Sequence, residues 1–469
     1  MESAINNQEF YSRTKTLIDE VSISSEISST IPLQWDEFTV CISIEPAWSN
    51  TYAGQLMLLS SINMIGRFCN RLFFDDSLSK VKPIIQFPIG FANNMLDNCI
   101  NIARNINPFS SVGAISSWPK DAVTFGVGVE ADITIASNNW LSYLNWNEHQ
   151  LAIDLNQNPF GPMFASCLGS AEVFRKLISR LGGRGPTAHR SLSNIQYSTL
   201  DYSCNDPLII NPSFPSFVDI GNILIAGSGA VANGIMAALY MTNNVKGIAI
   251  PVDDEKIDLS NVSRYSLTTL ADVGKEKTSL IARLFQGSKM TISPINNTVE
   301  SITSMDMNKY DIVISALDNR NNNSARIYLQ NLLPKYLIHA ATHGLSVAVA
   351  NINYLDGICL GCLFSPRGYD ITTVSDPICG GVTIRIKNKS TIAASVSFVS
   401  TACGILAASE LIKKVVPCLN QFSLNNYLSL SLMSPDLSDV RFREKDNNCL
   451  CLCSEPIRHE SYKSKYNIE

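Results

Sequence analysis

The chain has 469 residues, of which 45% are hydrophobic and only 16% charged, with a net charge of −5. That length exceeds one ordinary core and calls for two or three domains. The apolar fraction is enough for buried sheets, and an acidic balance without a basic block argues against a nucleic-acid partner. The opening MESAINNQEF lacks the apolar stretch of a secretory signal. Thirteen cysteines then fit a reducing cytosol, with some thiols on metal and the rest packed as small hydrophobes, so a cytoplasmic protein is expected.

In chain order, residues 10–17 (FYSRTKTL) form a short segment with Arg13 at its centre. Residues 39–44 read as a strand, 56–71 as a helix, and 72–76 as a strand ending in Asp75 and Asp76. Residues 163–176 read as a helix of small residues with a basic end. Residues 180–215 are rich in Gly, Pro, Ser and Asn and read as an extended connection. The strand at 223–226 then turns through Gly227-Ser228-Gly229 into a helix from Ala230 to Met241. A second strand, 247–252, ends in Asp253-Asp254. This is a βαβ unit whose glycine-rich turn suits a nucleotide phosphate, with Asp253 placed for ribose hydroxyls. Asn261, Arg264 and Lys277 follow; a hydride-transfer site has no need of cations there, whereas spreading the charge of a triphosphate needs them.

Further on, 312–317 reads as a strand running into Asp318-Asn319. Cys359-x-x-Cys362 has the spacing of a thiolate zinc knuckle. Cys379 lies among glycines, and Cys449, Cys451 and Cys453 alternate near the end. His339 and His343 read as core or supporting groups. Two apolar stretches, 222–241 and 391–412, are long enough to raise the question of a membrane. The first contains Gly-Ser-Gly and Asn233 and the second ends in Glu410, so both read as buried α/β elements and no membrane is expected.

The run Asp253, Leu259-Ser260-Asn261-x-x-Arg264 and Gly274-x-x-Lys277, followed by 312–319 and the cysteine pairs, closely resembles the ubiquitin-activating-enzyme-like adenylyltransferases of the ThiF/MoeB group. The resemblance covers residues 216–455 and departs at Tyr265, where the family usually has Gln. It implies an α/β, Rossmann-like adenylation domain that uses ATP and Mg2+. In it Gly227, Gly229, Asp253 and Asn261 would hold the nucleotide, Arg264 and Lys277 would neutralise phosphates, and Asp318 would carry magnesium. Cys359 and Cys362, with two of Cys449, Cys451 and Cys453, would bind structural Zn2+. Arg13 matches the arginine that the family passes across its dimer interface, or else is a solvated helix residue. Cys379 is either a thioester-forming nucleophile or a loop thiol.

The first part also looks like a degenerate copy of the second. Residues 72–76 mirror 250–254, and 163–176 mirror 401–414. The expected organisation is an inactive adenylation-like domain at 1–179, a linker at 180–215 and an active domain at 216–469, pseudo-dimeric within one chain or further paired as a homodimer. The expected partner is a small ubiquitin-like or sulfur-carrier protein, with a conjugating enzyme where the acyl group is passed on. Adenylation of a short peptide in natural-product maturation, and a nucleotide-binding scaffold without turnover, remain as alternatives.

Overall fold

The computed structural model describes residues 7–21, 35–146, 151–181, 190–317, 320–355, 358–363, 383–384, 392–393, 395–437, 439–441, 445, 449 and 456–468. Two mixed sheets dominate. The first runs in the order β3-β2-β1-β4-β5-β6-β7, from Ser111–Ile115 (β3) through Arg71–Asp75 (β2), Thr39–Ile44 (β1), Val123–Val127 (β4), Ile133–Asn138 (β5) and Leu141–Leu144 (β6) to Ile195–Ser198 (β7). The second runs β10-β9-β8-β11-β12-β13-β14-β15, from Met290–Ile292 (β10) through Val245–Val252 (β9), Val218–Ala226 (β8), Ile312–Ser315 (β11), Leu337–His343 (β12), Ser346–Ile352 (β13) and Tyr427–Ser431 (β14) to Asp439–Arg441 (β15).

The first seven strands of the second sheet follow the order of the seven in the first, and Asp439–Arg441 is an eighth. In each, the first five strands of the order are parallel, and the next two join antiparallel. The parallel strands read as continuous apolar runs because both of their faces are covered. Ile223, Leu224, Ile225 and Ala226 of β8 are all fully buried.

Four helices form the layer between the sheets. Tyr52–Ile65 and Phe160–Arg180 pack together over the first sheet, and Ala230–Met241 and Ser397–Val415 over the second. Phe160–Arg180 and Ser397–Val415 also pack against each other across the middle. One hydrophobic core therefore runs through both halves, from Leu56, Ile62 and Phe174 to Phe398, Ile235 and Leu406. At the crossing of Ala230–Met241 and Ser397–Val415 the backbones touch: a Cβ on Gly404 would come within 2.4 Å of the Ile235 amide nitrogen. The small residues of these helices serve this close approach. A second core lies on the far face of the second sheet, where Leu224, Val313 and Leu329 meet Leu360 and Tyr462. Among the described residues, no helix is long and apolar enough to cross a membrane.

Two expectations need correction. The helix expected at 56–71 spans Tyr52–Ile65, with Thr51 as its N-cap, and stops at Gly66. The segment 180–215 is not simply an extended connection, although 182–189 lie outside the described residues. Ile195–Ser198 completes the first sheet, and Leu192, Ile195, Tyr197, Leu200 and Tyr202 are buried. A short period-two apolar pattern sits there inside a polar composition, and burial against β6 decides its state.

Candidate active site

The parallel strands of the second sheet end at a cleft of about 690 Å³. Its lining includes Gly227, Gly229, Asp253, Asn261, Arg264 and Lys277, all expected from the sequence to gather there. Arg13 joins them from the helix Ser12–Val21, because Asn7–Phe10 packs on the short helix Leu259–Val262. Leu317 lines the cleft, but Asp318, which follows it, lies outside the described residues.

The turn after β8 is built for close approach. Gly227 has φ +87°, and a Cβ there would lie 2.9 Å from the Ala316 carbonyl oxygen, so only glycine fits. Asp253 closes the turn from the end of β9: one carboxylate oxygen accepts from the Ser228 amide at 2.7 Å and the other from the Glu255 amide at 2.9 Å. Burial pushes the Asp253 carboxyl up, more than Lys277 and the two amides pull it down.

Lys277 opens the helix Lys277–Leu284 and is only 6% exposed. Its ammonium pairs with Glu255 and lies 3.7 Å from Asp253. Burial alone would lower its pKa, but Tyr265, Asp253 and Glu255 together raise it, so it stays charged at neutral pH. Asp272, which is buried, ties down the loop before it by accepting from Thr269 and pairing with Lys275 and Arg283. Asn261 closes a capping box with Asp258, which fixes the helix leading to Arg264. The Tyr265 ring sits against both cations, 4.9 Å from the Arg264 guanidinium and 5.8 Å from the Lys277 ammonium. The residue that departs from the expected pattern therefore forms part of the cleft wall.

Two buried polar atoms here, Arg264 Nε and Ser228 Oγ, have no hydrogen-bond partner among the described residues. Such atoms are costly unless something satisfies them, and an anionic nucleotide would. Sequence reasoning missed Glu255 and Arg326. Arg326 is buried on the helix Arg320–Asn331, lines the cleft, and donates to the Leu317 carbonyl at 3.0 and 2.6 Å. Nothing local marks it, since its partner is a carbonyl at the end of a different element. His339 is buried on β12 beside Ser315, as expected of a core group, and burial holds its pKa well below the ordinary value.

On the far face, Cys359 Sγ lies 3.6 Å from Cys362 Sγ and 3.3 Å from Cys449 Sγ. Three sulfurs this close, with the Cys362 amide donating to Cys359 at 3.3 Å, suit a tetrahedral thiolate metal site. Of the alternating trio, Cys449 reaches the knuckle among the described residues; Cys451 and Cys453 lie outside them, as does Cys379.

A parallel sheet opened by a glycine turn, with an acid on the next strand and cations above it, defines a Rossmann-like domain of the nucleotide-binding type. Residues 219–451 match the ThiF family, and the chain belongs to the ThiF/MoeB adenylyltransferase superfamily. Similar proteins include y4jF of Sinorhizobium fredii, 22% identical over 83% of this chain and 86% of that one. The adenylyltransferase and sulfurtransferase MOCS3 of Drosophila grimshawi is 27% identical over 50% of this chain and 49% of its own length, and that of Anopheles gambiae is 32% identical over 34% and 36%. The chain thus spans half or less of the MOCS3 relatives it matches. Among solved structures, E. coli MccB aligns with a TM-score of 0.35 at 19% identity, over 50% of this chain and 65% of that one.

Proposed function

We propose that this chain uses ATP to adenylate the C-terminal carboxylate of a small ubiquitin-like or sulfur-carrier protein, and then takes the acyl group onto Cys379 as a thioester. The observation that carries the reading is the cleft itself: a glycine turn, a ribose-type aspartate and three basic residues, Arg13, Arg264 and Lys277, converge on it from separate elements. Membership of the family and similarity to the MOCS3 adenylyltransferases support it.

In the first step a carboxylate oxygen of the carrier attacks the α-phosphorus, the bond to the bridging oxygen breaks, and pyrophosphate leaves. Positioning and charge neutralisation suffice for this, without covalent help. Gly227 and Gly229 let the backbone approach, Asp253 orients the ribose, and Arg264, Lys277 and Arg13 balance the phosphates. Asp318, next to the cleft-lining Leu317, would hold magnesium, which shields charge between the phosphates. In the second step the Cys379 thiolate attacks the acyl carbon and AMP leaves.

The first half is the inactive partner in this reading. After β1 the chain continues through Pro46 and Ala47 rather than glycines, and Trp48, 2% exposed, fills the turn. A Cβ on Gly128, which has φ +67°, would lie 2.3 Å from the Trp48 ring. Asp75 still accepts from the Ser77 amide at 2.8 Å, echoing Asp253, but the indole stands where a phosphate would need space.

The test is ATP–pyrophosphate exchange by the purified chain with a carrier ending in Gly-Gly. Exchange that depends on the carrier is expected, and its absence with every carrier tried overturns the reading. Cys379→Ala should keep exchange but lose a reductant-sensitive adduct; an adduct that survives moves the acyl group to another cysteine. Cys362→Ser should lose a metal that elemental analysis of the parent finds at about one zinc per chain. A metal-free, fully active parent would remove the zinc.

A further inference from the structure

Arg67, just past the end of the helix Tyr52–Ile65, belongs to the first half and is completely buried. Its guanidinium reaches into the second half. It donates to the carbonyls of Val262, of Ser266 at 3.2 Å and of Thr268 at 3.1 Å. Nε and Nη2 also donate to the Asn63 side-chain oxygen at 3.1 and 2.7 Å, and the Asn63 amide in turn donates to the Ser266 carbonyl at 2.9 Å.

The three carbonyls bracket Arg264 and Tyr265, the residues that face the cleft. The helix Leu259–Val262 ends at Ser263, the Arg264 and Tyr265 amides return to the Asn261 carbonyl, and Leu267 donates to Asn233 at 3.3 Å. Ser400 Oγ reaches the Arg264 carbonyl at 3.4 Å.

We propose that Arg67, supported by Asn63, is a positioning residue through which the first half sets the conformation of the loop carrying Arg264 and Tyr265. This rests on the adenylation reading above. A flat guanidinium with five fixed donors can hold three carbonyls at once, whereas an ammonium on a flexible stem cannot impose the same plane. Its acceptors are neutral oxygens, so no opposite charge offsets the cost of burying the cation. A buried cation is a poor source of stability, and an apolar side chain of similar volume could fill the same space. Burial pulls the Arg67 guanidinium down to about 9, which leaves it protonated at neutral pH. The fork therefore stays intact under the conditions in which Arg264 must meet phosphate. The half that gives up its own turn to Trp48 keeps a role in its partner's site.

The experiment is steady-state exchange on the full chain for the parent, Arg67→Lys, Arg67→Met and Asn63→Ala, with melting temperatures measured alongside. For Arg67→Lys the KM for ATP should rise about tenfold while the KM for the carrier stays within twofold, because only the nucleotide-facing loop loosens. Arg67→Met should give a larger rise in the same direction. If Arg67→Met does not fold, Asn63→Ala decides, with an expected rise of about threefold in the ATP KM. Folded Arg67→Lys and Asn63→Ala variants with the parent's ATP KM overturn the proposal, as does an equal rise in both KM values, which marks a general structural defect. A parent without exchange overturns the adenylation reading instead, so the two failures are distinct.

Discussion

Lys277→Met should reduce ATP–pyrophosphate exchange by at least about 100-fold while the chain still folds. The ammonium pairs with both Asp253 and Glu255 at the head of its helix, and its removal leaves these two neighbouring carboxylates without the cation they share. The phosphates then lose a cation and keep two negative neighbours whose charge it had offset. Methionine keeps the length of the aliphatic stem, so packing against Tyr265 is largely preserved and the loss is one of charge. Exchange kinetics with a parallel thermal melt separate the two effects: near-parent exchange in a folded variant would remove Lys277 from the phosphate site.

The second large effect concerns stability. Glu410, on the helix Ser397–Val415, is fully buried and accepts from the Asn351 side chain at 2.8 Å, Ser423 at 2.8 Å and the Leu424 amide at 3.0 Å, as well as from Tyr202 and Lys413. Lys413 donates to the Leu200 carbonyl at 2.6 Å, which ties the second half's helix to the chain leaving the first sheet. Glu410→Ala strands a buried ammonium and several donors at once, and should cost about 3–5 kcal/mol in denaturant unfolding. Burial pushes the Glu410 carboxyl up, but Lys413, Tyr202 and Asn351 outweigh it and hold it below the ordinary range. A depressed carboxylate stabilises fully above its unfolded pKa of about 4.3, and that contribution is lost as pH falls through the folded value. The parent should therefore lose stability on acidification through this window, and Glu410→Ala should lose less. Equal acid sensitivity in the two proteins would show that other carboxylates dominate.

The same logic appears in mirror image. Glu172 pairs with Arg175 at 2.8 Å on Phe160–Arg180, and Arg175 donates to the Met433 carbonyl of the second half at 2.8 Å. Each central helix thus uses an acid–base pair one turn apart to grip the segment belonging to the other half.

What could be read in the sequence follows from where each signal lies. The turn at Gly227 and Gly229, the helix to Met241 and the strand to Asp253 were legible because one local run carries the apolar periods and the breaker together. The matching of 72–76 with 250–254 and of 163–176 with 401–414 was legible as repeated pattern, and it corresponds to the shared strand order of the two sheets. Arg13 was reached only through resemblance, since nothing in FYSRTKTL says which cleft it faces. β7 was lost because Ile195 and Tyr197 are too few to outweigh the Ser and Asn around them. Arg67 and Arg326 were invisible for a deeper reason: each bonds backbone carbonyls outside its own segment, and a carbonyl leaves no mark in the residue alphabet.

The continuous core and the shared cleft carry a kinetic consequence. In an enzyme whose arginine arrives from a separate subunit, dilution dissolves the site, and specific activity falls with protein concentration. Here Arg13, Arg67 and the helices they extend from are tethered to the same polypeptide as the glycine turn, so their effective concentration is set by the linker and not by the test tube. Activity per chain should hold constant on dilution to nanomolar levels. In the adenylation reading each chain should also load a single nucleotide, because a buried tryptophan, Trp48, follows β1 where the second sheet has its glycine turn.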